Sequence, residues 1–279
     1  MKKVSEYTVM NRAAWNASAA AFEAGDDWQE LLAQVGRKGF SVLDEALMDT
    51  LRGLGFEGRP ERRRVVQIGC NNGRELLSLP ALGMMPELGI DQADEFLQQA
   101  RKLAAKAGSD CRFLCADIYD LPKGTPDDFD LGLITIGVLN WMPDLQRFFS
   151  VVAGLLKPGA PLVIYETHPM LEMFDPEASD PFTPARSYFE TQPQSWEETI
   201  TYDGSDGVAC PESFWFSHTM GDIVTACVKA GLEIERLTEH AHSIREVDYD
   251  IYEGRKAQVP MCFTLVARKR AGSGDDVGD

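Results

Sequence analysis

Short apolar runs alternate with longer amphipathic segments through most of the chain after residue 63. Five runs rich in Val, Ile and Leu predict β-strands at residues 64–68, 86–91, 111–115, 129–135 and 161–166. The segments between and after them predict helices that begin near Asn72, Ala93, Pro143 and His218. Two later runs, 232–239 and 261–268, predict a final pair of strands. This alternation predicts an α/β fold with parallel strands joined by right-handed crossovers.

Two segments depart from the alternation. Residues 1–57 have helical spacing only, and Trp15 and Phe22 lie on one face of an alanine-rich helix. Residues 170–216 are rich in proline and aromatic residues, and SYFETQ with WEETITYDG predicts a hairpin that ends in an Asp203-Gly204 turn. We therefore divide the chain into an N-terminal helical segment (1–57), an α/β domain (58–270) with an insertion at 170–216, and a tail (271–279) expected to be disordered.

The stretch VVQIGCNNG, residues 65–73, predicts a strand, a glycine turn and the start of a helix. Because they lack a Cβ, Gly69 and Gly73 allow a tight bend and let a ligand lie against backbone N–H groups. A helix beginning behind the turn would add the partial positive charge of its N-terminus, which suits a carboxylate or a phosphate. The same turn also occurs where close packing is the only requirement, so the loop alone does not establish a ligand site.

Two acidic residues close the next two predicted strands. Asp91 follows Gly69 by about 20 residues, the distance at which an acid holds ribose hydroxyl groups in nucleotide-binding folds. Asp117 closes the third strand. The dinucleotide fingerprint G-x-G-x-x-G is matched only at its first glycine, since Asn71 and Arg74 occupy the other two positions.

Together these stretches resemble the class I S-adenosylmethionine-dependent methyltransferases, specifically the small-molecule branch. The resemblance runs from about residue 65 to 268, through VVQIGCNNG, LGIDQADEFLQQARK, FLCADIYDLP, FDLGLITIGVLNWMPDLQRFF and LLKPGAPLVIYETHP. It implies a Rossmann-like sheet of seven mostly parallel strands with an antiparallel last strand, and S-adenosyl-L-methionine as the cofactor. It also implies that the N-terminal helices close over the cofactor as a lid, while simple packing of these helices on the domain stays the alternative.

The resemblance implies a role for each motif. In that family the glycine loop cradles the methionine part of the cofactor, the acid after the second strand binds the ribose, and the third acid receives the adenine amino group. The implied cofactor-binding residues are Gln67, Gly69, Cys70, Asn71, Gly73, Asp91, Gln92, Asp117, Ile118 and Thr135. Gln67 stands where the family usually has Asp or Glu, and Asn71 stands where a glycine is common. Asn tolerates left-handed backbone angles, and Gln67 can accept a hydrogen bond although it carries no charge.

Composition and residue spacing argue against several classes of binding partner, namely nucleic acid, a membrane and a metal ion. The formal net charge of −17 argues against nucleic acid, because phosphate-backbone affinity comes largely from Lys and Arg. No apolar stretch follows Lys2 and Lys3, and no apolar run approaches a membrane span, so we expect a cytoplasmic protein, monomeric or homodimeric, that does not bind a membrane. The six cysteines form no C-x-x-C pair and are expected to be reduced and buried. The four histidines have no metal-ligand spacing, so no metal is expected.

The aromatic insertion suggests where a methyl acceptor would bind. An insertion after the fifth strand would lie over the cofactor end of the sheet, and methyl transfer needs an apolar slot from which water is excluded. The expected substrate-binding residues are Tyr7, Trp15, Trp141, Tyr188 and Trp215. Ordinary packing of aromatic residues under a long loop is the alternative.

The candidate catalytic residues are His168, Glu166 and His218. Histidine is the usual general base near neutral pH, and His168 follows Glu166 by two residues at the end of the fifth strand. The alternatives are a cap or loop hydrogen bond for His168, a helix N-terminal contact for His218, and methylation without any base.

These observations predict S-adenosylmethionine-dependent methyl transfer to a small aromatic or heteroaromatic metabolite. Nitrogen, oxygen and carbon acceptors all stay open, an indole-type acceptor among them. Two other classes are kept beside it: an NAD(P)-dependent oxidoreductase on a Rossmann-like sheet, and a non-catalytic cofactor-binding module.

Overall fold

The computed structural model of the protein describes residues 2–56, 64–201, 207–244 and 247–271. Its α-helices are α1 (Val4–Ala24), α2 (Asp26–Gln34), α3 (Glu45–Arg52), α4 (Asp94–Ala107), α5 (Leu145–Leu155) and α6 (Met220–Lys229). Its strands are β1 (Arg64–Ile68), β2 (Met85–Asp91), β3 (Arg112–Cys115), β4 (Leu131–Thr135), β5 (Pro161–Thr167), β6 (Gln194–Glu198), β7 (Ala209–Trp215), β8 (Leu232–His240) and β9 (Cys262–Lys269).

Seven strands form one sheet in the order β3-β2-β1-β4-β5-β9-β8. Strands β1 to β5 pair in parallel, whereas β9 is antiparallel to both β5 and β8. The predicted mostly parallel sheet with a reversed last strand is therefore confirmed. Since the strand order reverses direction between β1 and β4, their carboxyl ends open a crevice there, and this is where such sheets bind ligands.

Both faces of the sheet are covered, which explains why its strands read as nearly continuous apolar runs. Successive side chains of a strand point to opposite faces. On one face Val66 packs in a cluster with Phe148 and Phe149 of α5. On the other face Val65 packs in a cluster that contains Leu51 of α3 and Trp28 of α2.

The predicted helix after the glycine turn is not an α-helix. Residues Leu76–Leu82 form a 3-10 helix that contains Pro80 and ends at Gly83, whose φ is +68°. Proline inside the segment has no N–H to donate, and this prevents a regular α-helix there. The partial positive charge expected from an α-helix N-terminus is therefore absent at this loop in the described structure.

The insertion contains a hairpin, but its strands differ from the predicted ones. Strand β6 pairs antiparallel with β7, which follows it in the chain, and SYFETQ forms no strand. The predicted Asp203-Gly204 turn lies outside the described residues. The sequence pattern predicts the strand at Trp196 correctly but not its partner, because residues 187–192 form turns and bends and β7 pairs with β6 instead.

Other predictions about the chain have mixed outcomes. Residues 57–63, where the N-terminal segment meets the α/β domain, lie outside the described residues, as does the predicted tail (271–279) except for residue 271, and the division into segments stays a prediction. All six cysteines are free, but Cys115 is exposed and Cys210 is half-buried, so the expectation that all are buried was wrong. In the ranges described above, no helix is both long enough and apolar enough to cross a membrane.

Candidate cofactor and acceptor site

A cavity opens at the carboxyl ends of β1, β2 and β4, and its empty space is about 1050 Å³ with the open mouth included. Helix α1 lies across it. The lining residues come from α1, from the loops after these strands, and from the start of the 3-10 helix Ile118–Asp120. Of the ten predicted cofactor residues, seven line this cavity: Gly69, Asn71, Asp91, Gln92, Asp117, Ile118 and Thr135. Gln67, Cys70 and Gly73 lie behind it.

The glycine loop has the predicted left-handed conformation. The φ angles of Gly69, Asn71 and Gly73 are +66°, +48° and +74°, so the asparagine takes the position expected of a glycine. A Cβ on Gly69 would lie 2.5 Å from Val138, and one on Gly73 would lie 2.8 Å from Phe113. Close packing of the loop on its neighbours therefore requires both glycines, independently of any ligand.

Asp91 holds this loop in place at the edge of the cavity. Its Oδ2 accepts the backbone N–H of Asn71 at 2.8 Å, and its Oδ1 accepts the N–H of Ala93 at 2.9 Å. Burial raises the pKa of the Asp91 carboxyl, and these two N–H groups act in the opposite direction. Each carboxylate oxygen has a further lone pair, so the side chain can also accept hydrogen bonds from a ribose diol.

Asp117 connects the cavity to helix α1. Its Oδ1 caps the following 3-10 helix through the N–H of Tyr119, at 2.9 Å. Its Oδ2 accepts the hydroxyl of Thr8, at 2.6 Å. Thr8 also lines the cavity, so a residue of the N-terminal helix contacts the carboxylate that is implied to bind the adenine amino group.

Arg74, which is not among the predicted site residues, supplies a positive charge to this site. Arg74 is the one positively charged residue that lines the cavity within the described part of the chain. Its Nε lies 3.1 Å from Oε1 of Glu75, which also lines the cavity and is largely buried. The available signal was an arginine placed directly after the glycine turn, where a basic residue can reach an anionic ligand that the loop surrounds.

Aromatic side chains close the cavity from above. Trp15 of α1 lies edge-to-face against Trp141, with ring centroids 5.4 Å apart, and it packs in the same way on Phe96 of α4 at 5.6 Å. Phe22, a second residue of α1, also lines the cavity. The predicted face of α1 that carries Trp15 and Phe22 is thus the face that covers the site.

Only two of the five predicted substrate residues line the cavity, namely Trp15 and Trp141. Trp215 lies one layer behind, 5.1 Å from Trp141, and its indole N–H donates to Glu172 at 2.7 Å. Tyr7 is buried between Phe214 and Phe216, and the Tyr188 hydroxyl accepts the N–H of Met220. None of these three residues forms part of the cavity surface.

Glu166 does not reach the cavity. Its carboxylate accepts three backbone N–H groups of the loop after β4, those of Gly137 (2.5 Å), Val138 (2.7 Å) and Leu139 (2.9 Å). Burial raises the pKa of Glu166 to about 7, although these N–H groups act in the opposite direction. Because Gly137 and Val138 line the cavity, Glu166 fixes the shape of one wall from behind.

The two candidate histidines are also engaged elsewhere. The Nδ1 of His168 accepts the N–H of Met170 at 3.0 Å, and its Nε2 lies 2.8 Å from Oε1 of Glu239. The Nε2 of His218 lies 2.9 Å from the carbonyl oxygen of Met142. Burial lowers the pKa of both rings. Neither histidine lines the cavity, and for His168 the cap contact before Pro169 is the arrangement found.

Comparison with known proteins identifies the sheet and its loops. Residues 66–164 match the family model described as a methyltransferase domain. A crystal structure of an S-adenosylmethionine-dependent methyltransferase from Mesorhizobium loti superposes with a TM-score of 0.55, at 20% identity over 88% of this chain and 99% of that one. Residues 66–164 therefore carry a methyltransferase domain, and the sheet has the fold of S-adenosylmethionine-dependent methyltransferases.

Similarity in sequence to curated methyltransferases covers a shorter region. A ubiquinone biosynthesis O-methyltransferase of Neisseria meningitidis serogroup C is 29% identical over 106 residues, which are 38% of this chain and 44% of that protein. The methyltransferase phqN of Penicillium fellutanum is 28% identical over 106 residues, 38% of this chain and 32% of that protein. The chain thus spans less than half the length of the curated relatives that it matches.

The cavity has the donors and acceptors that S-adenosylmethionine requires. The cofactor combines a zwitterionic amino-acid end, a sulfonium, a ribose diol and an adenine ring. Arg74 suits the carboxylate and Glu75 the ammonium, while Asp91 can accept the diol and Asp117 the adenine amino group. The side chains of Ile90 and Ile118, which also line the cavity, would supply apolar walls for the adenine. When bound, the cofactor supplies the activated methyl group.

Proposed function

We propose that this methyltransferase transfers the methyl group of S-adenosylmethionine to a small aromatic or heteroaromatic metabolite. The observation that carries the proposal is the pair Trp15 and Trp141, two indole rings in edge-to-face contact that line the cavity. Aromatic rings bind preferentially against one another in offset or edge-to-face geometry, each contact adding about 0.5–1.5 kcal/mol beyond burial. The same rings exclude water from the sulfonium, which protects it during transfer.

The residues around the cavity support catalysis by alignment without a histidine base. Within the described chain, the titratable residues that line it are Arg74, Glu75, Asp91 and Asp117, and each has a role in holding the cofactor. Such a site suits an acceptor that attacks without first losing a proton, for example an electron-rich ring carbon or a ring nitrogen. The chain then contributes proximity, orientation and a dry environment.

The name of one curated relative supports a small-molecule acceptor and leaves oxygen as the second candidate atom. The relative from Neisseria meningitidis is named as an O-methyltransferase of ubiquinone biosynthesis. A phenol is a weak nucleophile until it ionises, so an O-methyltransferase without a base in its cavity would turn over faster as the pH approaches the acceptor's own pKa.

The proposal is tested by turnover of labelled S-adenosylmethionine with a panel of indoles, quinones, phenols and aromatic amines, matched with aliphatic amines and alcohols. We expect transfer to aromatic members only, and a rate that changes little with pH between 6.5 and 8.5 for carbon or nitrogen acceptors. Trp15→Phe should retain most of the turnover and Trp15→Ala should raise the KM for the acceptor. Preferential transfer to aliphatic acceptors would contradict the proposal.

A further inference from the structure

Gln67 is a fully buried polar side chain on β1, directly behind the cavity. Its Nε2 donates to the hydroxyl oxygen of Thr135, at 2.9 Å. Its Oε1 is buried and has no hydrogen-bond partner in the described parts of the chain. A buried acceptor left unpaired is costly, about 1–3 kcal/mol, so an arrangement that keeps one calls for an explanation.

The amide of Gln67 determines what Thr135 can offer to a ligand. Thr135 is the last residue of β4 and lines the cavity. In the described part of the chain, the hydrogen-bond partner of its hydroxyl is the amide of Gln67. A hydroxyl has one hydrogen to donate and two lone pairs with which to accept. Because Gln67 donates to one of the lone pairs, the hydroxyl hydrogen of Thr135 stays available on the cavity side.

A carboxylate at position 67 would have the opposite effect. An ionised Glu can only accept, so it would take the hydrogen of Thr135 and leave that hydroxyl with lone pairs alone to present. Rotation of the Gln67 amide by 180° would also turn an acceptor, Oε1, toward Thr135. It would, however, place the two N–H hydrogens of Nε2 at the buried position where Oε1 now lies without a partner. The orientation with Nε2 toward Thr135 leaves a single acceptor unpaired instead.

We propose that Gln67 is a positioning residue that makes Thr135 a hydrogen-bond donor to the carboxylate of S-adenosylmethionine, beside the guanidinium of Arg74. The inference rests on the cofactor named above. Of the cofactor's polar groups, the carboxylate is the strongest acceptor, whereas the ribose diol and the adenine amino group are donors to Asp91 and Asp117. A donor in the wall after β4 therefore binds the carboxylate more strongly than the cofactor's uncharged acceptors, because a charged acceptor strengthens the bond.

The inference is tested by calorimetric titration with two ligands. S-adenosylhomocysteine carries the carboxylate, and its decarboxylated analogue, S-adenosyl-3-thiopropylamine, keeps the adenosine, sulfur and amine without it. Thr135→Val should weaken binding of S-adenosylhomocysteine by about 10-fold or more, the range for a hydrogen bond to a charged group, and should leave the analogue nearly unaffected. Thr135→Ser should bind both as the wild type does. Thr264→Val, a buried threonine of β9 outside the cavity, is the matched control.

The role of Gln67 is tested by the preference between the two ligands, the ratio of their dissociation constants. Gln67→Glu should lower the preference for S-adenosylhomocysteine as the pH rises, because a protonated carboxyl can donate to Thr135 as the amide does, whereas an ionised one can only accept. Gln67→Met should lower the preference by a few-fold at every pH. Gln99→Met is the matched control, since Gln99 is also buried with an unpaired Oε1 but donates to the carbonyl of Ala19, a residue that does not line the cavity.

Three results would overturn the inference. The first is equal loss of affinity for both ligands in Thr135→Val. The second is a preference for S-adenosylhomocysteine in Gln67→Glu that equals the wild-type value at every pH, and the third is a change in this preference that is as large in Gln99→Met as in Gln67→Met. Wild-type protein that binds neither ligand would instead refute the cofactor assignment itself, so the two failures are distinguishable.

Discussion

Glu166 lies near the end of β5 and His168 directly follows the strand, yet both bind parts of the protein other than the cavity. The sequence placed them correctly at the carboxyl end of a strand, but strand position does not reveal which hydrogen bonds a buried side chain must make. Glu166 satisfies three backbone N–H groups and His168 caps a 3-10 helix. Buried backbone groups need partners, and these two side chains supply them.

His168 should therefore affect stability more than turnover. We expect His168→Ala to lower the free energy of unfolding by about 1–2 kcal/mol, the usual cost of a lost helix cap, while kcat changes less than about threefold. His168→Asn retains an acceptor for the N–H of Met170 and should recover most of the stability. Urea unfolding and steady-state kinetics give the two readouts. A fall of 100-fold or more in kcat in both variants would restore His168 as the catalytic base.

Glu166 should make the stability depend on pH in a defined direction. Its pKa is about 7 in the folded chain against an ordinary value of 4.5, so the folded state binds more protons between these values. Its contribution is therefore fully present below about pH 4.5 and is lost as the pH rises through about 7. As the pH is lowered from 7.5 to 5.5, we expect this group to increase the free energy of unfolding by on the order of 1–2 kcal/mol.

Chemical denaturation of the wild type and of Glu166→Gln across that pH range measures this contribution. The variant has no carboxyl to titrate at this position, so its stability should gain less on acidification, even though it loses some anchoring of the loop after β4. Parallel stability–pH curves for the two proteins would show that Glu166 does not titrate in this window.

At the scale of elements, the strands could be predicted because their signal is local. Apolar runs bounded by polar residues define β1 to β5, and the acids at their ends follow from the same reading. Two features depended on contacts between separate parts of the chain and were missed or wrong: β6 pairs with a strand that follows it, and Thr8 of α1 contacts Asp117 at the cavity. The 3-10 helix after the glycine loop is a local effect of Pro80 that the apolar pattern does not show.

Helix α1 is attached to the hairpin as well as to the cavity. The side chain of Asn11 is fully buried, donates to the carbonyl of Phe214 at 3.0 Å and accepts its N–H at 2.7 Å. The hydroxyl of Ser18 accepts the N–H of Ile200 at 2.9 Å. Because α1 is bound both to Asp117 at the cavity and to the insertion, we expect it to move with the hairpin, and its role as a lid stays a prediction.

Asn11→Ala should loosen this attachment. The change leaves a buried N–H and a buried carbonyl of Phe214 unpaired, and we expect a loss of about 2–4 kcal/mol in stability together with faster dissociation of S-adenosylhomocysteine. Urea unfolding and stopped-flow dissociation measure the two effects. Asn16→Ala, a position on the same helix whose side chain accepts an exposed N–H of Glu95, is the control and should change neither by much. Unaltered dissociation in Asn11→Ala would mean that α1 covers the site without controlling release.

At the scale of the whole molecule, a parallel sheet positions acidic residues from separate strand ends around one cavity, and a helix from the N-terminus covers it. The sequence could predict the acids Asp91 and Asp117, because each directly follows a strand. The apolar pattern did not single out Arg74 and Glu75, which also line the cavity and lie between the glycine turn and the 3-10 helix.

The measurement that tests this account most directly is calorimetric titration of the purified protein with S-adenosylhomocysteine and with NAD, repeated on Asp91→Ala. We expect one S-adenosylhomocysteine per chain and no heat from NAD, and a weakening of about 10- to 100-fold in the variant, because two ribose hydroxyl groups lose a charged acceptor. Asp94→Ala, an exposed acid of α4 paired with Arg101, should bind as the wild type does. Binding of NAD in place of S-adenosylhomocysteine, or an Asp91→Ala affinity equal to that of the wild type, would contradict the account.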